Sequence, residues 1–190
     1  VGSEMCIRDR TYSSMLELGS SLEEFNLLNT VSSNDFSSSE LDEAKPSLIM
    51  FICNHCPYVI HYHDEIKRLA NDFDNTINMV AISSNDIKEY PQDGPDKMRE
   101  LWEELGLSFP YLFDSTQDVA KQYKAECTPE FYLFDSSHKL VYRGRLDESS
   151  PNSGSEPTGK DLRNAIENVL NNKEVNPDQF PSMGCNIKWK

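Results

Sequence analysis

The chain has few basic residues, few cysteines and no long apolar segment. Its 190 residues include 18 Lys and Arg against 32 Asp and Glu, which gives a formal net charge of −14. Nucleic acids and anionic membranes are bound through basic patches, so this balance argues against both as partners. No apolar run approaches the ~20 residues that span a bilayer, and no secretory apolar segment is visible. We expect an acidic, soluble, cytoplasmic protein.

The cysteines are too sparse for a secreted domain that is held together by disulfides. One of them, Cys6, lies in the opening ten residues, VGSEMCIRDR, which resemble the translation of a sequencing-library adapter. We interpret residues 1–10 as a non-native segment and residues 11–190 as a single domain. The native N-terminus would then be missing, and the sequence is compatible with a signal peptide that was lost together with it.

A Cys-x-x-Cys motif, Cys53 to Cys56, lies between a predicted strand and a predicted helix. The apolar run 48–52 predicts the strand, and apolar residues at helical spacing predict a helix over residues 57–73. Unpaired N–H groups at a helix N-terminus favour an anion, so we expect a lowered pKa for Cys53, with His55 acting in the same direction. Thiolates attack disulfides and peroxides. A zinc site would need a second cysteine or histidine pair at short spacing, and we find none.

The rest of the pattern predicts an α/β domain. Residues 78–83 predict a second strand, which forms a right-handed βαβ unit with the first. Further strands are expected at 25–28, 109–113, 131–134 and 140–146, the last two forming a hairpin, while 32–39 is expected to be turn and loop. Further helices are expected at 96–105, capped by Asp96 and ended by Gly106, at 114–123, capped by Asp114, Ser115 or Thr116, and at 159–171. The polar stretch 149–159 is expected to be a loop.

Two further cysteines and one proline are of interest. Thr128 precedes Pro129, and X-Pro is the only peptide bond that is commonly cis. Cys127 is compatible equally with a small buried apolar role and with a redox role. For Cys185 the sequence favours the non-redox role.

Histidines and arginines offer weaker candidates. His61 and His63 are two residues apart on the predicted helix, so they point in different directions and are expected on its solvated surface rather than in a metal site. Arg143 and Arg145 are expected to face solvent or a carboxylate rather than a substrate.

Nearly the whole chain resembles the thioredoxin-fold superfamily, and within it the peroxiredoxin-like branch of the AhpC/TSA (alkyl hydroperoxide reductase/thiol-specific antioxidant) family. The segments that carry this resemblance are FICNHCPYV (51–59), ISSND with YPQDGPDKM (82–98), FPYLFDSTQDVAKQY (109–123), CTPEFYLFD (127–135), LVYRGRLD (140–147) and PSMGCNIKWK (181–190). The resemblance implies a thioredoxin-like fold with a central mixed sheet and helices on both faces. It implies Cys53 as the attacking thiol, Cys56 as the resolving thiol and Pro129 as a cis-proline facing them, supported by His55, Thr128 and Cys127.

The expected function is antioxidant thiol–disulfide exchange with a protein or small-molecule disulfide, served by an unidentified thiol electron donor, with no metal or organic cofactor. A second possibility is a thiol peroxidase that reduces hydroperoxides. Peroxiredoxins share a Pro-x-x-x-Thr/Ser-x-x-Cys loop and an arginine; alignment places Cys56 on the peroxidatic cysteine, Cys53 on the hydroxyl residue and Pro129 near the arginine. The sequence is also compatible with a copper metallochaperone that uses Cys53, Cys56 and a histidine, and with a redox-inactive binding module.

Overall fold

The computed structural model describes residues 10–190. Residues 1–9, with Cys6, lie outside the described residues, and so does the predicted non-native segment apart from Arg10. Within the described part the strands are β1 (Arg10–Tyr12), β2 (Asn26–Asn29), β3 (Asn34–Ser37), β4 (Ser47–Phe51), β5 (Asn78–Ser83), β6 (Tyr111–Phe113), β7 (Cys127–Thr128), β8 (Glu130–Phe134), β9 (Leu140–Gly144) and β10 (Met183–Asn186). The α-helices are α1 (Pro57–His61), α2 (His63–Asp72), α3 (Pro95–Leu105), α4 (Asp118–Gln122) and α5 (Lys160–Leu170), with short 3₁₀ turns at Ser38–Glu40 and Pro91–Asp93.

A seven-stranded mixed sheet in the order β3-β2-β6-β5-β4-β8-β9 forms the frame of the molecule. β4 lies in its interior, parallel to β5 and antiparallel to β8. All five residues of β4 are buried, as expected for a strand covered on both faces. The predicted βαβ unit and the predicted β8–β9 hairpin at the sheet edge are both confirmed.

Helices pack on both faces of this sheet because successive strand side chains point to opposite sides. On one face, Leu48 and Met50 share an apolar cluster with residues of α1, α2, α3 and α5. On the other face, Ile49 and Phe51 pack with residues of α4. The expected α/β thioredoxin-like architecture is confirmed.

Two predicted elements have a different secondary structure in the structure from the one expected. The helix expected over 57–73 is divided at Tyr62, whose φ of −96° and ψ of 0° interrupt the helical path. The Tyr62 hydroxyl donates a hydrogen bond to the carbonyl of Ser149 (2.7 Å), which ties this interruption to the loop after β9. The expected loop at 32–39 contains β3, an edge strand. Main-chain hydrogen bonds with β2 hold this strand in place. It can carry mostly polar side chains because it lies at the exposed edge of the sheet.

Two predicted helix caps are also corrected. Gly94, not Asp96, caps α3, since Pro95 takes the first helical position, where a missing N–H costs nothing. Gln117 caps α4 in a left-handed conformation, while Asp114 accepts a hydrogen bond from the Ala120 amide (3.0 Å). The predicted stop of α3 at Gly106, which has a positive φ, is confirmed.

A second, three-stranded sheet in the order β1-β10-β7 was not expected from the sequence. It joins chain segments from both ends of the described part with the two-residue strand β7. β10 also contacts α1, so this small sheet lies against the beginning of the helix that follows the Cys-x-x-Cys motif.

Candidate active site

The two motif cysteines meet the predicted cis-proline segment in the interior of the protein. Cys53 follows β4, and Cys56 occupies the N-cap position of α1 with Pro57 first in the helix. Cys53 Sγ lies 3.4 Å from Thr128 Oγ1, and Cys56 Sγ lies 3.2 Å from the Thr128 carbonyl oxygen. The Thr128–Pro129 bond is cis, as predicted. The fold thus brings together a dithiol and a cis-proline turn that are separated by more than seventy residues in sequence.

The sequence predicts a lowered pKa for Cys53, but in the structure Cys56 is the thiol whose pKa is lowered. Burial, with a hydrogen bond to Cys56 and the nearby Asp93 charge, raises the pKa of Cys53. Burial also disfavours the Cys56 thiolate, but hydrogen bonds from Cys185 and Cys53 and from the Val59 main chain outweigh it and lower the pKa of Cys56 far below that of an ordinary thiol. The expected lowering of the Cys53 pKa is therefore wrong, because Cys56 and not Cys53 receives the donors at the start of α1.

His55 is held by a buried carboxylate that the sequence analysis did not single out. Asp93 is fully buried and lies 2.6 Å from His55 Nδ1. It also accepts hydrogen bonds from the Asn54 amide (2.8 Å) and from Asn85 Nδ2 (2.8 Å). These contacts fix the two residues between the cysteines. Asp93 occurs in a Gly- and Pro-rich turn, where an acid is ordinarily a turn former, and only its burial distinguishes it.

The His55–Asp93 pair also borders Cys53. One ligand-type atom from each of the three residues lies within 4.8 Å of the other two. The His55 ring stacks on Tyr90 with a centroid separation of 5.4 Å. The arrangement could hold a soft metal ion, although both Asp93 oxygens already accept hydrogen bonds from neighbouring residues.

The small sheet brings Cys127 and Cys185 to the same region, but with different surroundings. Cys127 Sγ lies 3.9 Å from the Ser182 carbonyl and 3.9 Å from Glu130 Oε2, and burial raises its pKa. The Cys185 side chain and main chain instead form hydrogen bonds with Cys56. All four described cysteines are buried, and none of them forms a disulfide bond with another described residue.

Glu130, the residue after the cis-proline, is a buried carboxyl group. Its Oε2 accepts a hydrogen bond from the Glu126 amide (3.0 Å), and the Tyr132 side chain also interacts with the carboxyl group. Burial raises the pKa of Glu130 to about 7. No sequence signal indicates this, because Glu130 begins an otherwise apolar strand.

The two arginines on β9 and just after it are engaged away from the thiols. Arg145 Nε pairs with Asp161 (2.6 Å) and its guanidinium lies 4.1 Å from the Phe180 ring centroid. Arg143 donates to the Leu16 carbonyl and to the Gln179 side chain (both 2.8 Å). The expected carboxylate partner is confirmed for Arg145.

The remaining histidines of α1 and α2 are partly buried rather than fully solvated. His61 Nε2 lies 3.0 Å from Ser149 Oγ, and His63 Nε2 is buried without a hydrogen-bond partner. The expectation of a solvated surface is therefore corrected for both, and the loop after β9 covers His61 through Ser149.

A groove of about 310 Å³ opens beside the cis-proline. Pro129 and Met183 form part of its lining, together with two exposed aromatic side chains, Tyr12 and Phe180. Arg145 and Asp147 add charge at its border. The groove therefore presents apolar surface next to the segment that contacts both motif thiols.

Comparisons with known proteins agree with this description. The sequence model of the redoxin family matches residues 17–162. An uncharacterized conserved protein from Geobacillus kaustophilus has 47% identity and a TM-score of 0.93, covering 95% of this chain and 96% of that chain. A hypothetical protein from Sinorhizobium meliloti has 38% identity and a TM-score of 0.92, covering 95% and 98%. A peroxidoxin from Mycobacterium tuberculosis shares the fold alone, with 17% identity and a TM-score of 0.61 over 82% of this chain and 97% of that chain. A search of curated proteins found no significant match.

Fold and buried dithiol together define a thiol oxidoreductase of the thioredoxin fold. Within that class, the chain belongs to the redoxin family, in agreement with the expected AhpC/TSA-type resemblance. Within residues 10–190, no helix has the length and apolar character that crossing a membrane requires.

Proposed function

We propose that this protein catalyses thiol–disulfide exchange through Cys53 and Cys56, with a protein or small-molecule disulfide as substrate. The observation that carries the proposal is the contact of both thiols with Thr128, directly before the cis-proline. Exchange needs an accessible thiolate and a second thiol that resolves the mixed disulfide. The two motif cysteines supply the attacking and the resolving sulfur atoms, and both are buried in this structure.

The order of attack follows from the acidities of the two thiols. The thiolate is the attacking species, and the hydrogen bonds around Cys56 favour its thiolate, whereas burial raises the pKa of Cys53. We therefore assign the first attack to Cys56 and the resolving step to Cys53, which reverses the roles that the family resemblance implied. Because both side chains are almost fully covered, the segment around them must open locally for a substrate to react.

The groove beside Pro129 suits an extended segment of a protein disulfide. Its apolar lining and exposed aromatic residues offer a surface that a small oxidant would not need. A folded or partly folded protein is thus the favoured class of substrate.

Peroxide reduction is the second candidate, favoured by the low pKa of Cys56. A peroxidase must stabilise charge developing on the peroxide oxygen with donors that are fixed beforehand. Here Cys53 occupies the hydroxyl position, and Arg143 and Arg145 are bound to other partners. We therefore expect disulfides to react faster than hydrogen peroxide.

Copper binding is a weaker candidate, supported by the proximity of Cys53, His55 and Asp93. Soft thiolates suit Cu(I). Measurement of the metal content of the protein after purification under reducing conditions tests copper binding, and a stoichiometric copper content would favour it over the redox function.

Stopped-flow mixing of the fully reduced protein with oxidised glutathione and with hydrogen peroxide tests the proposal. Faster reaction with the disulfide is expected. The Cys56→Ser variant should lose the fast phase, and Cys53→Ser should retain it, because the attacking Cys56 thiol is unchanged. Cys127→Ser, which changes an equally buried thiol, is the control and should behave like the parent protein. A fast peroxide reaction with a slow disulfide reaction would contradict the proposal, and a fast disulfide phase that depends on Cys53 alone would contradict the order of attack.

A further inference from the structure

We propose that Cys185 is a third redox thiol, which exchanges with Cys56, so that the oxidised protein can carry its disulfide as either Cys53–Cys56 or Cys56–Cys185. This inference rests on the proposed thiol–disulfide exchange function. It assigns a chemical role to a cysteine for which the sequence favoured none.

The register of the small sheet places Cys185 on the side of the dithiol. In the antiparallel β7–β10 pair, Cys185 lies opposite Thr128, and Asn186 lies opposite Cys127. Side chains of directly opposed residues project from the same face of a sheet. The Thr128 side chain contacts Cys53, so the Cys185 side chain projects toward the same thiols.

Direct contact between Cys185 and Cys56 agrees with this register. Hydrogen bonds join Cys56 to both the side chain and the main chain of Cys185. A disulfide between these two residues needs their Cβ atoms to come within about 3.8 Å of each other. Cys56 therefore has two neighbouring thiols, Cys53 on one side and Cys185 on the other.

The close approach of β10 depends on a glycine. A Cβ atom at Gly184 would overlap the carbonyl oxygen and carbon of Thr128. The absence of a side chain at Gly184 lets the main chain of β10 lie directly against the cis-proline segment, which brings Cys185 to Cys56.

Cys127 lacks this relationship, although it is equally buried. It precedes Thr128 on β7, so its side chain projects to the opposite face. There it contacts the Ser182 carbonyl and the Glu130 carboxyl group. Cys127 therefore serves as an internal comparison for Cys185.

The proposed step balances without an additional oxidant. A substrate disulfide accepts two electrons and two protons from Cys53 and Cys56, which leaves the substrate as two thiols and the protein as the Cys53–Cys56 disulfide. The Cys185 thiolate then attacks Cys56 Sγ, so the Cys56–Cys185 bond forms and the Cys53–Cys56 bond breaks. Cys53 leaves as a thiolate and takes up the proton that Cys185 released.

The test uses the full chain with Cys6→Ser in every variant, so that only the four described cysteines react. Each reduced protein is treated with oxidised glutathione, quenched with acid, alkylated and digested, and the disulfide-linked peptides are identified by mass spectrometry. We expect both the Cys53–Cys56 and the Cys56–Cys185 linkages in the parent. In Cys53→Ser the only intramolecular linkage should be Cys56–Cys185, formed in most molecules. It should persist in Cys53→Ser/Cys127→Ser and be replaced by a glutathione adduct on Cys56 in Cys53→Ser/Cys185→Ser.

The outcomes separate this inference from the proposed function. A stable glutathione adduct on Cys56 in the Cys53→Ser variant, with Cys185 unmodified and the parent forming Cys53–Cys56, would overturn the role of Cys185 and leave the exchange function intact. A parent protein that forms no disulfide at either Cys53 or Cys56 would overturn both. Far-ultraviolet circular dichroism establishes that each variant is folded, and the Cys127→Ser variants control for loss of a buried thiol.

Discussion

The two β-sheets of this protein differ in how they are built and in what they carry. The seven-stranded sheet has long ladders, and the central strands β4 and β8 are buried along their whole length. The three-stranded sheet joins segments of two to four residues that lie far apart in the chain. Strand β4 of the large sheet leads directly into the two motif cysteines. The small sheet supplies Thr128 and Cys185, which contact these cysteines.

This difference separates stability from chemistry. The large sheet buries most of the apolar core and should dominate the free energy of unfolding. The small sheet has strands of only two to four residues, yet its residues Thr128 and Cys185 contact the motif sulfur atoms. Substitutions in the two sheets should therefore have separable effects on stability and on thiol reactivity.

The largest effect is expected in the large sheet. Phe131→Ala removes a fully buried side chain of β8 and should lower the free energy of unfolding by about 3–5 kcal/mol. Urea denaturation measures this loss. Leu28→Ala on the edge strand β2, where the side chain is 36% exposed, is the control and should cost less than about 1 kcal/mol. Equal costs for the two variants would contradict the assigned role of the large sheet.

The next effect concerns Glu130, which links the sheets by accepting a hydrogen bond from the Glu126 amide next to β7. Burial raises the pKa of Glu130 from 4.5 to about 7, so between these values the folded chain holds a proton that the unfolded chain has released. The free energy of unfolding should therefore fall by about 3 kcal/mol as the pH rises through this window and stay level above it.

Glu130→Gln removes this titration and should abolish that part of the pH dependence. Urea denaturation at several pH values between 4.5 and 8 measures it. Glu103→Gln changes an exposed carboxylate on α3 that does not contribute to the Glu130 pKa, so it is the control and is expected to retain the dependence of the parent. An unchanged dependence in Glu130→Gln would contradict the raised pKa of Glu130.

A smaller loss of stability, with a distinct effect on reactivity, is expected at the small sheet. Gly184→Ala forces β10 away from Thr128 and should cost about 2 kcal/mol. Cys185 should become more reactive toward iodoacetamide in the folded state, as measured by peptide mass spectrometry. Asn152→Ala, at an exposed position of the 149–159 loop, is the control. Protection of Cys185 identical to that in the control would show that Gly184 does not position β10.

The smallest effect on stability is expected on the opposite side of the dithiol. Asp93→Asn removes a negative charge that raises the pKa of Cys53, so the pKa of Cys53 should fall, while stability should decrease by about 1–2 kcal/mol through the altered hydrogen bonds. The alkylation rate of Cys53 against pH measures the change. Asp96→Asn, an exposed residue of α3, should leave the profile unchanged. A rise in the pKa of Cys53 in Asp93→Asn would contradict the electrostatic role of Asp93.

The sequence predicts best those strands and turns that are marked by a continuous apolar run or by a polar segment between two such runs. The strand at Ser47–Phe51 and the strand at Asn78–Ser83 are continuous apolar runs, and the hairpin at 130–144 has a polar turn between two apolar segments. The cis bond before Pro129 follows from the position of a proline between a cysteine motif and a strand in a chain that resembles a known family.

The features that the sequence does not predict depend on long-range pairing. Nothing local in Arg10–Tyr12 or Met183–Asn186 indicates a strand, because main-chain pairing between distant segments creates both. The contacts of Asp93 and Cys185 likewise arise only when separate turns and strands meet. The order of thiol acidity escapes sequence reasoning because it depends on which sulfur receives the hydrogen bonds at the start of α1.

The hydrogen bonds directed at Cys56 also bear on the direction of electron flow. They stabilise a negatively charged sulfur, and this stabilisation is lost when the sulfur enters a neutral disulfide. Stabilising the reduced form of a dithiol raises its reduction potential and makes the corresponding disulfide a stronger oxidant. The donors around Cys56 therefore favour return of an oxidised Cys53–Cys56 pair to its dithiol form by a thiol electron donor.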